Sequence, residues 1–97
     1  MRIISKKKLV DYWGDEPQAK TELEAWYAEA KAADWATPAQ IKAKYGNASI
    51  LKDGRVVFNI SGNRYRLVVW INYDFRVIYI RFIGTHAEYD KIDAQTV

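Results

Sequence analysis

Arg55-Val56-Val57-Phe58-Asn59-Ile60, Arg64-Tyr65-Arg66-Leu67-Val68-Val69-Trp70-Ile71 and Arg76-Val77-Ile78-Tyr79-Ile80-Arg81-Phe82-Ile83 are three runs rich in β-branched and aromatic residues. Ser61-Gly62-Asn63 separates the first two, and Asn72-Tyr73-Asp74-Phe75 separates the second pair. Runs of this length broken by Gly, Asn and Asp are strands joined by tight turns, so residues 55–83 predict an antiparallel meander. Alternation assigns the faces. Tyr65, Leu67, Val69 and Ile71 point one way, with Arg66, Val68 and Trp70 opposite; Ile78, Ile80 and Phe82 share a side, with Tyr79, Arg81 and Ile83 opposite. The apolar sets are expected to bury against helices. Arg66 and Arg81 are then expected on a free, concave, basic face, because antiparallel sheets twist.

Upstream the period is helical. Arg2-Ile3-Ile4-Ser5 reads as a short strand, with Ser5 as N-cap of a helix from Lys6 to Trp13 that Gly14 ends. Asp15-Glu16-Pro17 starts a second helix, in which Ala19, Leu23, Trp26, Tyr27 and Ala30 lie on one face. Thr37-Pro38 repeats the start signal for a short third helix, Ile41 to Tyr45, closed by Gly46. Ser49 to Leu51 reads as a strand and Asp53-Gly54 as a turn. Downstream, Thr85-His86-Ala87-Glu88 fits a capping box and starts a short C-terminal helix. The fold class is therefore α+β: an N-terminal strand and two to three helices packed on one face of a twisted antiparallel sheet, then a short C-terminal helix.

The chain has 97 residues, enough for a single domain spanning 1–97 with one modest core. With 49% hydrophobic and 14% aromatic residues, it is a packed globule. It has no cysteine and one histidine, so disulfides and thiolate metal sites are excluded, and no metal or other cofactor is implied. No apolar run reaches the roughly 20 residues that cross a bilayer, and the N-terminus is charged too early for a signal peptide. A cytoplasmic protein with no membrane partner is the expectation. Net charge is +3, and five of the six arginines (Arg55, Arg64, Arg66, Arg76, Arg81) fall in the strand region. Arginine binds phosphate through planar, bidentate contacts that lysine cannot make.

Cleavage of RNA needs few groups. The substrate's own 2′-hydroxyl is the nucleophile, and the protein must remove its proton, stabilise charge on the phosphoryl oxygens and protonate the leaving oxygen. Arg66 and Arg81 suit the charge role, with strand-face salt bridges to Asp74 or Glu88 as the structural counterpart. His86 is the proton-transfer group, Tyr89 a positioning or proton group, and Asp90 lies one helical turn beyond His86. Asn59, Asn63 and Arg64 are read as RNA contacts near the first hairpin turn, where Asn63 with Gly62 also meets the turn's need for positive φ. Trp70 and Tyr79 are expected as exposed stacking surfaces beside the two arginines. The run Lys6-Lys7-Lys8 is a solvated helix face that could also touch RNA phosphates.

The blocks V-F-N-I-x-G-N-x-Y-R (57–66) and R-F-x-G-T-H-x-E-Y-D (81–90) resemble the HigB family of bacterial type II toxins, within the RelE-like group. The resemblance implies a messenger-RNA endonuclease acting on translating ribosomes, neutralised by a cognate helix-turn-helix antitoxin. It places Phe58, Asn59, Gly62, Asn63, Arg66, Arg81, Thr85, His86, Tyr89 and Asp90 in the family blocks. Wider relatives use lysine bases, and Lys42, Lys44 and Lys52 lie outside both blocks. Two other functions fit a similar fold: a toxin acting on DNA gyrase, and an RNA- or protein-binding module without turnover.

Overall fold

The computed structural model describes residues 1–97. In chain order the elements are β1 (Arg2–Ile4), α1 (Lys6–Asp15), a 3-10 turn (Pro17–Ala19), α2 (Lys20–Ala32), α3 (Pro38–Lys44), β2 (Ser49–Ile50), β3 (Arg55–Ile60), β4 (Tyr65–Asn72), β5 (Val77–Thr85) and α4 (His86–Tyr89). The boundaries follow local chemistry. Ser5 sits in extended conformation before α1, though its side chain makes no capping bond. Thr37 and Gln40 form a capping box with Pro38 in the first turn of α3. Pro17 opens a 3-10 turn that feeds α2, so the second helical segment tightens before it becomes α-helical.

The five strands run in the order β1-β5-β4-β3-β2. Strands β2 to β5 pair antiparallel as expected, but β1 lies parallel to β5, with Ile3 opposite Ile78. The sheet is therefore mixed. The edge strand β1 and the inner strand β5 can run the same way because a long crossover, here the helical layer and the other strands, separates them in sequence.

Helices α1 to α3 cover one face. Leu9, Leu23, Trp26, Ala30 and Ile41 meet Phe58, Tyr65, Leu67, Val69, Ile71, Ile78 and Ile80 in the main core. Edge-to-face contacts of Phe58 with Trp26 and Tyr45, at 5.3 and 5.1 Å, tie β3 to α2 and to the end of α3.

Two expectations for the sheet need correction. The ladder between β4 and β5 shifts register, with Val68 opposite Phe82 but Val69 opposite Ile80. Arg81 is the extra residue of a β-bulge, and one extra residue reverses every later side chain. Phe82 therefore joins the second face and Ile83 packs on the main core, the reverse of strict alternation. Nor is the second face open. Residues 92–97 fold back across it as a strap, burying Ala94 against Val57 and Val68, with Phe82, Tyr89, Ile92 and Val97 around them. Gln95 fastens the strap to the backbone of Lys52 by two bonds, 3.0 Å from the Lys52 N–H and 2.7 Å to its carbonyl.

The turns also differ in detail. In the β3–β4 hairpin Ser61 and Gly62 take positive φ, whereas Asn63 does not. Gly54 has φ +82° and a Cβ there would lie 2.5 Å from the Ile71 carbonyl oxygen, so only glycine fits.

Candidate active site

The last turn of β5 and the start of α4 lie beside the β3–β4 hairpin. Cross-strand register sets Asn59 opposite Arg66 and Arg66 opposite Gly84. The backbone N–H of His86 donates to the Arg64 carbonyl at 3.0 Å, joining α4 to the hairpin. Thr85 caps α4: its hydroxyl accepts from the Glu88 N–H at 3.2 Å, and Glu88 accepts from the Thr85 N–H at 2.8 Å. Those bonds to the Thr85 backbone and side chain hold the Glu88 carboxyl below its ordinary pKa. The sequence therefore fixes where His86 leaves the sheet.

His86 is exposed, and its Nδ1 lies 3.1 Å from Oδ2 of Asp90, one turn along α4. A carboxylate at Nδ1 orients the ring and leaves Nε2 as the free nitrogen, the arrangement that prepares a histidine for proton transfer. Arg66 is 9% exposed, far more buried than a residue on a free face. Its Nη1 donates to the carbonyls of Asn63 and Tyr65, both at 3.2 Å, and its Nη2 lies 3.4 Å from Asn63 Oδ1. The guanidinium also sits 5.9 Å from the centre of the Tyr89 ring. These contacts fix Arg66 without neutralising it. The ion pairs of the molecule are Lys7–Asp11, Lys44–Glu29, Arg76–Asp34 and His86–Asp90, so neither Asp74 nor Glu88 pairs with Arg66 or Arg81.

The residues singled out in the sequence divide into three places. Asn59, Asn63, Arg66, His86 and Tyr89 gather at the hairpin end of the second face. Arg81, Trp70 and Tyr79 lie toward its other end, with the Val68–Phe82 pair between Arg81 and Arg66. Arg64 turns to the helical side, where its Nη1 donates to Gln18 at 2.6 Å. The ring of Trp70 stacks on Tyr79 with centroids 5.0 Å apart, so the two aromatics meet each other rather than standing free. Lys6 lies over Tyr27, Lys7 pairs with Asp11 and Lys8 reaches the Ile80 carbonyl, so the lysine run is spread over separate partners. Arg55, named in the sequence only as one of the strand arginines, shares the face of Val57 and Asn59 and stands opposite Trp70 across the ladder.

Three helices on one face of a five-stranded sheet, with a short helix after the last strand, define a RelE-like α+β protein. Residues 19–92 match the family model of HigB toxins, the RelE-like toxic component of a toxin-antitoxin system. The chain belongs to the HigB toxin family. It is 35% identical over 96 residues to the mRNA interferase toxin HigB of Escherichia coli K12, an alignment covering 97% of this chain and 92% of that one. The mRNA interferase HigB of Shigella flexneri gives the same figures. A third relative, mRNA interferase HigB of Escherichia coli O6:H1, is 29% identical over 94 residues, covering 95% and 91% of the two chains. No helix is long and apolar enough to cross a membrane.

Proposed function

We propose that this HigB-family toxin is an endoribonuclease that cuts messenger RNA on translating ribosomes by attack of the RNA 2′-hydroxyl. The observation that carries the reading is the pairing of His86 with Asp90 at 3.1 Å on the same short helix whose Tyr89 ring lies 5.9 Å from Arg66, a guanidinium with no carboxylate partner. Near full-length similarity to mRNA interferases supports the same activity.

In this reading His86 Nε2 takes the proton of the 2′-hydroxyl or returns one to the leaving 5′-oxygen. Asp90 holds the ring through Nδ1. Arg66, fixed by Asn63, faces the phosphoryl oxygens as charge accumulates, and its burial strengthens that interaction. Tyr89 packs on Arg66 and positions the substrate, while Asn59 and Asn63 offer hydrogen bonds to base or ribose. In the cell a cognate helix-turn-helix antitoxin holds the toxin inactive.

The test is to incubate the purified protein with a defined messenger RNA, with and without programmed ribosomes, and to map the cut ends. Cuts at a fixed place in the decoding site, only with ribosomes and lost in His86→Ala, are the expected result. Absence of cuts under both conditions, from protein that still arrests growth, would overturn the nuclease reading in favour of gyrase or of binding without turnover.

A further inference from the structure

The outer edge of β5 is only partly paired. Strand β1 runs beside it from Val77 to Tyr79, then leaves the sheet through Ser5 into α1. Two bonds fix the direction of the amides beyond that point. The His86 N–H turns toward the hairpin and donates to the Arg64 carbonyl at 3.0 Å, whereas the Thr85 N–H donates to Glu88 at 2.8 Å. Backbone direction alternates along a strand, so Gly84 and Phe82 bond toward their β4 partners Arg66 and Val68. Ile83 then turns both its N–H and its C=O outward, and no hydrogen bond from elsewhere in the chain reaches them. Side chains close the two ends of this stretch, Lys8 on the Ile80 carbonyl at 3.3 Å and Glu88 on the Thr85 N–H.

A hollow of about 320 Å³ follows the same edge, between Lys8, Tyr12 and Asp15 of α1 and Ile80 to Ile83 of β5. Phe82 and Ile83 belong to opposite faces of the sheet, so a hollow that touches both runs along the rim of the strand. Its two ends differ in charge. Lys8 stands at the Ile80 end. Asp15, the last residue of α1, forms no ion pair. Burial, helped by Glu88 and Glu16 nearby, pushes the Tyr12 hydroxyl up to about 12. An outward N–H and C=O at strand spacing are matched by another polypeptide backbone, which carries the same pair of groups at the same repeat.

We infer that the open edge of β5 from Ile80 to Thr85 is a docking site for an extended segment of a partner protein. The segment prolongs the row that β1 begins and exchanges backbone hydrogen bonds with Ile83. It lays an apolar side chain against Tyr12 and Phe82, and presents an acidic residue to Lys8 and a basic one to Asp15. Docking uses none of Arg66, His86 or Asp90, so this site and the nuclease reading stand or fall separately.

The experiment titrates the isotope-labelled chain with a short capped peptide of alternating valine and threonine, bearing glutamate at one end and lysine at the other, and follows it by nuclear magnetic resonance. In the free chain the Ile83 amide should exchange with solvent much faster than those of Phe82 and Gly84. The peptide should slow that exchange and shift the signals of Ile83 and Tyr12. Methylating one alternate set of the peptide's backbone nitrogens should weaken binding by about 10-fold or more, and methylating the other set should leave it unchanged. Ile83→Pro removes the outward donor at an edge position that tolerates proline, and should weaken binding to a similar degree, whereas Ile83→Ala keeps the donor and should bind. Asp15→Lys should weaken binding by about 2- to 5-fold at low salt. Slow exchange of Ile83 in the free chain, shifts centred elsewhere, equal tolerance of both methylated peptides, or no binding at the peptide's solubility limit would each overturn the site. A free chain that sediments as a dimer with Ile83 protected would also overturn it, by assigning the edge to a second copy. The methylated peptides act on the unaltered chain, so the test holds even where Ile83→Pro fails to fold.

Discussion

Asp90 shows how much one side chain can prepare another. It lies a single helical turn from His86, and its carboxylate meets Nδ1 at 3.1 Å on an exposed surface. An exposed pair of this kind adds little to stability, so its value lies in orientation. We expect Asp90→Asn to lower cleavage by about 10-fold or more, and His86→Ala by about 10² to 10⁴-fold. Thermal midpoints should stay within a degree or two for Asp90→Asn, as exposed substitutions cost roughly 0.5 kcal/mol or less. A cleavage assay paired with a melting curve separates the two effects. A large drop in midpoint would show that the pair holds α4 in place and has no orienting role. The relation was visible in the sequence, because positions 86 and 90 share a helix face. Arg66 was legible only in part. Its strand face followed from alternation, but its burial depends on Asn63 and Tyr89, which reach it from a turn and from a helix.

Among the elements, β5 departs furthest from its sequence pattern. Alternation from Val77 to Ile83 predicts Phe82 inward and Ile83 outward; the bulge at Arg81 exchanges them. Neither apolar residue carries a mark of the exchange, since both faces of the strand find apolar neighbours. Just before the bulge, the Ile80 carbonyl accepts from Lys8 of α1 at 3.3 Å. Deleting Arg81 would restore an unbroken ladder and move Ile83 off the main core. We expect that deletion to lower stability by roughly 3 kcal/mol or more, since burying one such side chain is worth about 1.5–3 kcal/mol and Phe82 is displaced as well. Arg81→Ala keeps the extra residue and should change the denaturation midpoint little. Equal losses in urea titrations of the two variants would show that the guanidinium, and not the bulge, holds this edge.

At the scale of the whole molecule, two apolar clusters on opposite faces of one sheet divide the work. The helical face carries the larger, and the strap of residues 92–97 covers the smaller. Because the clusters are separate, truncation after Lys91 should leave the helical core folded while exposing Val57, Val68 and Phe82. The expected signs are unchanged far-ultraviolet circular dichroism and increased binding of a hydrophobic dye. Loss of helical signal would mean that the strap belongs to the folding unit itself. By itself, the sequence determined the helices, the meander and the capped start of α4. Each of these rests on local signals: turn residues, caps, and periods of two or 3.6 residues. Tertiary structure alone decided the parallel placement of β1, the bulge at Arg81, the strap over the second face and the division of the arginines into two groups. Those features depend on contacts between segments far apart in the chain, such as Arg55 with Val97 and Lys52 with Gln95, for which no local pattern exists.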